Sequence, residues 1–331
     1  MLDLGDCAFE GPCAELYRQF VAFKRAMGYK YGEGVLYDLR KISEDIEGAR
    51  AGEEGPLPQK LVMDWTERRP GESDANRKKR LTLMRQLGLF IEGLGIECFV
   101  LPERFIPAKG PRYEPYVFAE DEIAALMAHF DSLPHDRRFP NRSKVQPMLF
   151  RTIYGCGTRI GEALDLKVWE VDVGNGVLSI NNAKGGKRRQ LPMSPSLASC
   201  FADYWDEMRL DGAPPDAPVF PSVTREDFYT SDAIRHSFKC ACDKLGIRTE
   251  KGRLPRVHDL RHTFACHSLD RFMRDGGDPY AMLPVLAAYM GHSNISDTEY
   301  YLHLTESGRR FVLDKTSAAA DRIFLIGAPH A

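Results

Sequence analysis

Four prolines within a short stretch limit this chain more than any other feature of its sequence. They recur about every four positions between residues 101 and 116, at Pro102, Pro107, Pro111 and Pro115. Proline lacks the backbone N–H that a helix needs, so this stretch is predicted to be an extended linker. A chain of 331 residues is long enough for two domains. We therefore predict a domain over 1–105, a linker over 106–116 and a second domain over 117–331.

The N-terminal domain is predicted to be a small helical bundle, because its apolar residues recur at spacings of three and four. Three helices are predicted over 13–30, 33–49 and 57–69. A fourth begins at a cap on Ser73 or Asp74 and continues to about Leu94. Its other faces carry five basic residues that we predict to contact nucleic-acid phosphates: Arg77, Lys78, Lys79, Arg80 and Arg85. The alternative interpretation is an ordinary solvated helix face.

The second domain is predicted to be mainly α-helical with a small antiparallel sheet. Residues 177–180 are predicted to form a strand, 184–187 a tight hairpin turn and 190–193 the returning strand. Thr158 is predicted to cap a helix, and Ser296–Glu299 has the sequence of a capping box. The predicted helices are 120–130, 146–154, 158–166, 194–209, 230–245, 259–270 and 279–290.

Composition excludes several classes of protein. No apolar run is long enough to span a membrane, and the first residues lack the basic and apolar parts of a signal peptide. The eight scattered cysteines contain no CxxC pair, which favours a reduced, cytoplasmic chain. The formal net charge of −2 does not itself indicate a nucleic-acid partner, but the basic residues are clustered.

Six residues of the second domain have the chemistry to break and rejoin a phosphodiester bond. They are Arg159, Lys184, His258, Arg261, His292 and Tyr301. Negative charge gathers on the non-bridging oxygens in the transition state, and arginines stabilise it with paired N–H groups. A tyrosine hydroxyl, whose ordinary pKa is about 10, becomes a nucleophile when a base or nearby cations activate it. A lysine on a hairpin can protonate the leaving oxygen as a general acid.

The motifs around these residues resemble those of the tyrosine recombinases, the phage integrase family. The first arginine box of that family, Gly-x-Gly-x-Arg-x-x-Glu, is similar to residues 155–162. The hairpin pattern Lys-Gly-x-Lys-x-Arg-x-x-Pro is similar to 184–192. The His-x-x-Arg-His box matches 258–262, and Met290-Gly291-His292 resembles the Leu-Gly-His box, nine residues before Tyr301. The resemblance covers about 113–310.

The resemblance implies a role for each of these residues. Arg159, Arg261 and His292 would hold the phosphate, and Lys184 would protonate the leaving oxygen. His258 would assist proton transfer, and Tyr301 would form a 3′-phosphotyrosyl link. Because that link stores the energy of the broken bond, no ATP, metal or other cofactor is expected. Separately from the resemblance, the basic residues that follow Lys184 form a local positive patch, from which we predict DNA contacts: Lys187, Arg188 and Arg189.

The resemblance also implies an architecture and an assembly. The N-terminal domain would be a SAM-like, core-DNA-binding domain, and the two domains would form a C-shaped clamp around duplex DNA. A homotetramer would join two recombination sites and exchange strands through a Holliday junction, with partner recombinases as a further possibility. Two features resemble integrases of mobile elements: the long loop over 131–144 and the fifteen positions from Gly277 to His292.

Several alternatives stay open at the level of single residues. Tyr300 is next to Tyr301, and Lys187 borders the same turn as Lys184. His258 and His262 have the spacing of a zinc helix, but the glutamate of an HExxH motif is missing. The apolar patch over 323–326 could dock on a neighbouring protomer.

Two other functions fit the same motifs. A type IB topoisomerase-like enzyme would use the same chemistry as a monomer to relax supercoils. A non-catalytic DNA-binding accessory protein would keep the fold without needing Tyr301.

Overall fold

The computed structural model describes residues 9–11, 13–48, 55–108, 110, 113–181, 188–223, 228–305 and 307–311. The chain divides into two compact units, Met1–Tyr113 and Glu114–Ala331. The point of division lies inside the linker predicted from the prolines. The apolar patch over 323–326 lies outside the described residues.

The first unit is helical throughout its described elements. Its helices are α1 (Ala14–Ala26), α2 (Glu33–Gly48), α3 (Gln59–Asp64) and α4 (Asp74–Gly93), followed by a 3-10 turn over Glu103–Phe105. Helix α1 ends earlier than predicted because Gly28 turns the chain in the left-handed region, at φ +85°. Of the two caps considered for α4, Ser73 is the one observed: its hydroxyl accepts a hydrogen bond from the Asn76 backbone N–H at 3.2 Å.

Helix α3 is much shorter than the predicted 57–69. The chain leaves the helix after Asp64, and the backbone carbonyls of Trp65 and Glu67 accept hydrogen bonds from the Arg80 guanidinium. These side-chain bonds replace the helical bonds that would have continued α3. The guanidinium also lies over the Trp65 ring, with 4.5 Å to the ring centroid.

Arg80, predicted to contact phosphate from its place in a basic run, bonds to protein groups in this structure. It is buried, at 7% exposure, and forms two 2.7 Å hydrogen bonds with the Glu72 carboxylate. Arg77 and Arg85 are half-buried and donate to the backbone carbonyls of Thr66 and Leu101. Lys78 is half-buried, and Lys79 is exposed and pairs with Asp38 at 2.7 Å. The carboxylate partner of Arg80 comes from the loop that precedes α4.

The second unit is mostly helical with a small sheet, as predicted. Its 3-10 segments cover Val168–Glu170, Leu210–Gly212 and Tyr300–Leu304. The helices are α5 (Glu120–Asp131), α6 (Arg142–Gly155), α7 (Ile160–Leu164), α8 (Pro195–Met208), α9 (Ser231–Lys244), α10 (Val257–Arg274), α11 (Pro279–Met290) and α12 (Ser296–Glu299).

The sheet contains three antiparallel strands in the order β1 (Val171–Asp172), β2 (Val177–Ile180) and β3 (Arg189–Pro192). Leu178 pairs with Leu191, and both side chains face the core. The two-residue strand β1 was not predicted, because two residues carry no readable alternation. The predicted returning strand begins one residue earlier than expected, at Arg189.

Two apolar clusters stabilise the second unit. The larger one surrounds the stacked rings of Phe130 and Phe150, whose centroids are 4.0 Å apart. The smaller one joins α10 and α11 to the segment that carries Tyr301. Among the described residues, no helix combines the length and apolar character needed to cross a bilayer.

Candidate active site

Arg261 connects the parts of the chain that carry the candidate phosphate-binding residues. It lies in the first turns of α10, which begins at Val257 because the Asp259 carboxylate accepts the Arg256 N–H at 2.8 Å. Its guanidinium is 1% exposed and donates to the carbonyls of Gly157 and Met290, at 2.6 Å each. These carbonyls come two residues before Arg159 and His292. One buried side chain therefore fixes both loops relative to α10.

Glu162 is the anion that organises this group of arginines. Its carboxylate caps α7 by accepting the Arg159 backbone N–H at 2.9 Å, and it accepts the Arg159 side chain at 2.7 Å. Arg189 also donates to it, at 2.7 Å and 3.2 Å, and Arg261 lies 3.8 Å away. Burial opposes ionisation, but the hydrogen bonds from Arg189 and Arg159 outweigh it and lower the pKa of Glu162 to about 2. The carboxylate is therefore charged at neutral pH.

Arg189 was predicted to contact DNA, and in this structure its side chain bonds to protein groups. Its side chain is only 8% exposed, because it crosses from β3 to the Glu162 carboxylate. Its Nε donates to the Tyr289 carbonyl near the end of α11, at 2.9 Å. Arg189 thus ties the sheet to the loop that carries His292. Its neighbour Arg188 is exposed, and Lys184 and Lys187 lie outside the described residues.

Replacing Glu162 with glutamine is expected to lower the free energy of unfolding at pH 7 by about 3 kcal/mol, because buried arginines lose their anion. The folded-state pKa of about 2 lies below the ordinary 4.5. The carboxylate's contribution is therefore fully present above pH 4.5 and is lost as the pH falls through the folded value. Urea unfolding at several pH values measures the difference between variant and wild type.

The exposed pair between Lys144 and Glu207 provides the matched control. Glu207→Gln is expected to change stability by less than about 1 kcal/mol at any pH. A Glu162→Gln penalty that stayed the same from pH 7 to pH 3 would contradict the proposed ionic role of the carboxylate.

Gly157 occupies a position that only glycine fits. Its φ is +58°, and an added Cβ would lie 2.4 Å from the Phe264 ring. Thr158 does not cap α7 as predicted: Arg159 is the cap residue, and the buried Thr158 hydroxyl lacks a hydrogen-bond partner among the described residues. The glycine turn sets the position of the carbonyl that Arg261 binds.

Gly157→Ala is expected to destabilise the protein by about 1–3 kcal/mol, since the ring must move and the backbone is strained. The same change at Gly161, where an added Cβ meets nothing within 4 Å, is expected to be nearly neutral. Thermal unfolding of both variants measures the difference. Equal losses at the two positions would contradict the steric explanation.

His258 and His292 are held as neutral imidazoles. Burial, followed by the charge of Arg261, lowers the pKa of each to about 4. His292 Nδ1 lies 2.8 Å from the hydroxyl of the buried Thr298. This contact orients the ring and leaves Nε2 as the nitrogen that could bind a phosphate.

Tyr301 lies against two histidines. It is 2% exposed, and its hydroxyl is 2.9 Å from His262 Nδ1. Its ring stacks on that of His292, with centroids 6.2 Å apart. Tyr300, its neighbour, is half-buried. Tyr301 lies in the 3-10 segment Tyr300–Leu304 and packs in the smaller apolar cluster.

The predicted capping box before Tyr301 is wrong. Ile295 is the cap residue of α12, and Ser296 is already helical. The Ser296 backbone N–H is bound instead by the Asn294 side chain, at 3.2 Å. Ile295 makes no side-chain cap, so α12 begins without a capping box.

Three residues that contact the candidate site residues were given no role from the sequence: Glu162, His262 and Thr298. Glu162 and His262 stand inside the recognised boxes, which is the signal that could have identified them. Thr298 has no such signal, because its contact depends on the turn after α11. In the described part of the chain, no three His, Cys, Asp or Glu side chains form a group that could hold a metal ion.

A match to a protein-family model shows to which family this chain belongs. The model of the phage integrase family matches residues 117–307, more than half of the chain. This chain belongs to the phage integrase family. The prediction that it is a tyrosine-type, site-specific DNA recombinase is thereby confirmed.

Individual relatives agree with the family assignment. The integrase/recombinase y4rB of Sinorhizobium fredii is 27% identical over 292 residues, which cover 86% of this chain and 90% of the relative. Tyrosine recombinase XerC of Pseudomonas fluorescens is also 27% identical, and the match covers 76% of this chain and 77% of XerC. This integrase-family chain therefore aligns with most of the length of both relatives.

Solved structures show the same fold. The integrase of the Tn1549 transposon, in complex with transposon right end DNA, superposes with a TM-score of 0.60 at 17% identity, covering 91% of this chain and 99% of that one. The XerH site-specific recombinase, bound to its difH substrate, superposes with a TM-score of 0.57 at 17% identity. The superposition covers 88% of this chain and 82% of the XerH chain. The prediction of a tyrosine recombinase fold is confirmed.

Proposed function

We propose that this recombinase cleaves duplex DNA at specific sites by joining Tyr301 to a 3′-phosphate. The observation that carries the proposal is the buried Arg261, which binds the carbonyls of Gly157 and Met290. It thereby gathers Arg159 and His292 around the helix that also contacts Tyr301 through His262. Candidate phosphate-binding groups and a candidate nucleophile, far apart in sequence, meet at one place.

The proposed roles follow from the hydrogen-bonding capacity of each side chain. A guanidinium has five N–H donors, so Arg261 keeps donors for a phosphate beyond its two carbonyl bonds. Arg159, at 27% side-chain exposure, and His292 would complete the phosphate site. We assign Lys184 as the acid that protonates the leaving oxygen, and His258 as an aid to proton transfer.

The chemical step balances without a cofactor. The Tyr301 hydroxyl gives its proton to a base in the site as its oxygen bonds to phosphorus. The bond from phosphorus to the 5′-oxygen breaks, and Lys184 supplies the proton that this oxygen takes. Rejoining is the reverse, with the 5′-hydroxyl of another strand as the attacking group. The phosphotyrosyl bond conserves the energy of the phosphodiester, so the proposed cycle needs neither ATP nor a metal ion.

We propose that the biological reaction is the integration or excision of a mobile element. The names of y4rB, an integrase/recombinase, and of the Tn1549 transposon integrase support this context. We further propose a homotetramer that joins two sites through a Holliday junction. From the sequence prediction we propose these DNA backbone contacts: Arg77, Lys78, Lys79, Arg85, Lys187 and Arg188.

The test begins with the DNA site. Duplexes that bind the Tyr301→Phe variant are selected from a randomised pool, and the selected duplex is then cloned as two copies in one supercoiled plasmid. The wild-type chain is expected to delete or invert the intervening segment without metal or ATP. A plasmid without the selected duplex is the control and should remain unchanged.

Two results would overturn this proposal. Relaxation of plasmids regardless of the selected duplex would indicate a topoisomerase-like activity. Specific binding without any covalent adduct or recombination would indicate a DNA-binding accessory protein.

A further inference from the structure

His262 is a side chain of the site that the proposed phosphate chemistry leaves without a role. It lies one helical turn after His258 on α10, and the two rings are perpendicular with centroids 4.7 Å apart. Its Nδ1 is 2.9 Å from the Tyr301 hydroxyl, and the two ring centroids are 5.6 Å apart. His262 therefore contacts the oxygen that the proposed function assigns as the attacking atom.

We propose that His262 is a catalytic residue, the general base that accepts the proton of the Tyr301 hydroxyl. The proposal rests on the proposed function, because it requires Tyr301 to be the nucleophile. As the phenolic oxygen bonds to phosphorus, its O–H bond breaks and the proton moves to Nδ1. In the reverse reaction His262 returns this proton to Tyr301 as the phosphotyrosyl bond breaks.

The surroundings of His262 keep its imidazole neutral before DNA binds. Burial, followed by the nearby His258, Arg256, Arg261 and His292, lowers its pKa to about 3. A neutral imidazole has one nitrogen lone pair, and the geometry at Nδ1 fits a phenol that donates to it. The assigned tautomer would then carry its proton on Nε2.

DNA would supply the charge that makes the proton transfer favourable. An imidazolium among these cations is disfavoured, so the proton stays on Tyr301 in the DNA-free chain. A phosphodiester brings negative charge into the same place and offsets the cations. The nucleophile would therefore be activated only when a phosphate occupies the site.

The same helix contains a matched control. His267, five residues later on α10, places its Nδ1 3.0 Å from the hydroxyl of Tyr154 on α6. Both histidines are half-buried, and both contact a tyrosine hydroxyl. His267→Gln therefore removes an equivalent contact away from the candidate nucleophile.

The experiment separates loss of a base from loss of an acid. The rate of adduct formation is measured on the selected duplex, which carries a nick. The duplex is made in two versions, one with oxygen and one with sulfur at the 5′-bridging position of the phosphate that is attacked. A thiolate leaves without protonation, so sulfur replaces the general acid but not the base. Lys184→Ala is expected to be slow with oxygen and to recover with sulfur.

His262→Gln is expected to be slower than wild type by about 10²- to 10⁴-fold on both substrates, with DNA binding unchanged. His267→Gln is expected to match the wild type. Wild-type rates for His262→Gln, or its recovery with sulfur, would overturn the proposal alone. Absence of a wild-type adduct would overturn the proposed function and this proposal together.

A second measurement does not depend on turnover or on a well-folded His262 variant. The ¹⁵N NMR resonance of His262 Nδ1 in the DNA-free wild type is compared with that in Tyr301→Phe, which retains the histidine. Loss of the hydroxyl is expected to shift the Nδ1 resonance while leaving His267 unchanged. An unchanged His262 resonance would overturn the proposal, because the contact would be absent.

Discussion

Replacing Tyr301 with phenylalanine is expected to abolish the covalent protein–DNA adduct and leave DNA binding intact. The change removes only the hydroxyl that lies 2.9 Å from His262, and the ring can stay in its apolar cluster. Loss of one hydrogen bond should lower stability by about 1 kcal/mol, too little to unfold the domain. Without the proposed nucleophile, the enzyme has no route to a covalent intermediate.

The measurement is denaturing gel electrophoresis after the protein is mixed with the nicked selected duplex and quenched in detergent, without metal or ATP. Tyr300→Phe is the matched control, since it removes the neighbouring hydroxyl, and it should form the adduct at the wild-type rate. An adduct that persists in Tyr301→Phe and disappears in Tyr300→Phe would transfer the assignment to Tyr300.

Arg261→Ala is expected to slow adduct formation by about 10²- to 10³-fold, the loss typical of one transition-state donor. The variant also leaves the carbonyls of Gly157 and Met290 without their donor inside the fold. Each unsatisfied buried carbonyl should cost about 1–3 kcal/mol, so the melting temperature should fall as well. Single-turnover rates at a temperature well below the variant's melting point separate the two effects.

Two further variants are needed to interpret the effect of Arg261→Ala. Arg261→Lys keeps the charge but not the planar fork that reaches both carbonyls, so it should recover stability and rate only in part. Arg271→Ala removes an exposed arginine in the last turn of the same helix and should match the wild type. Wild-type adduct formation by Arg261→Ala would exclude this guanidinium from the phosphate site.

Short-range signals in the sequence predicted the helical elements well. The bounds predicted for α11, 279–290, are those observed, because Pro279 opens the helix and Gly291 ends it in the left-handed region. The Ser73 cap was correct for the same reason, since its hydrogen bond reaches only three residues ahead. The caps predicted at Thr158 and Ser296 were wrong, and there the helix begins one or two residues from the predicted position.

Charge along the sequence was a poorer guide to which basic residues are available to a ligand. Arg80 and Arg189 both stand in basic runs, and both are buried on carboxylates. The Glu72 partner precedes Arg80 by eight residues, and Glu162 precedes Arg189 by 27. A charge pattern read along the chain cannot identify such partners, because each ion pair forms only when the chain folds to bring its two side chains together.

The sequence by itself determined the family, the helical class and the six candidate catalytic residues, because these depend on motif spacing and local hydrogen bonding. Only the tertiary structure decided which groups surround each of the five that it describes. It placed Glu162 between three arginines, Thr298 against His292, and His262 against a tyrosine 39 residues away. Those contacts arise from the packing of α7, β3, α10 and the segment after α11, which no local pattern encodes.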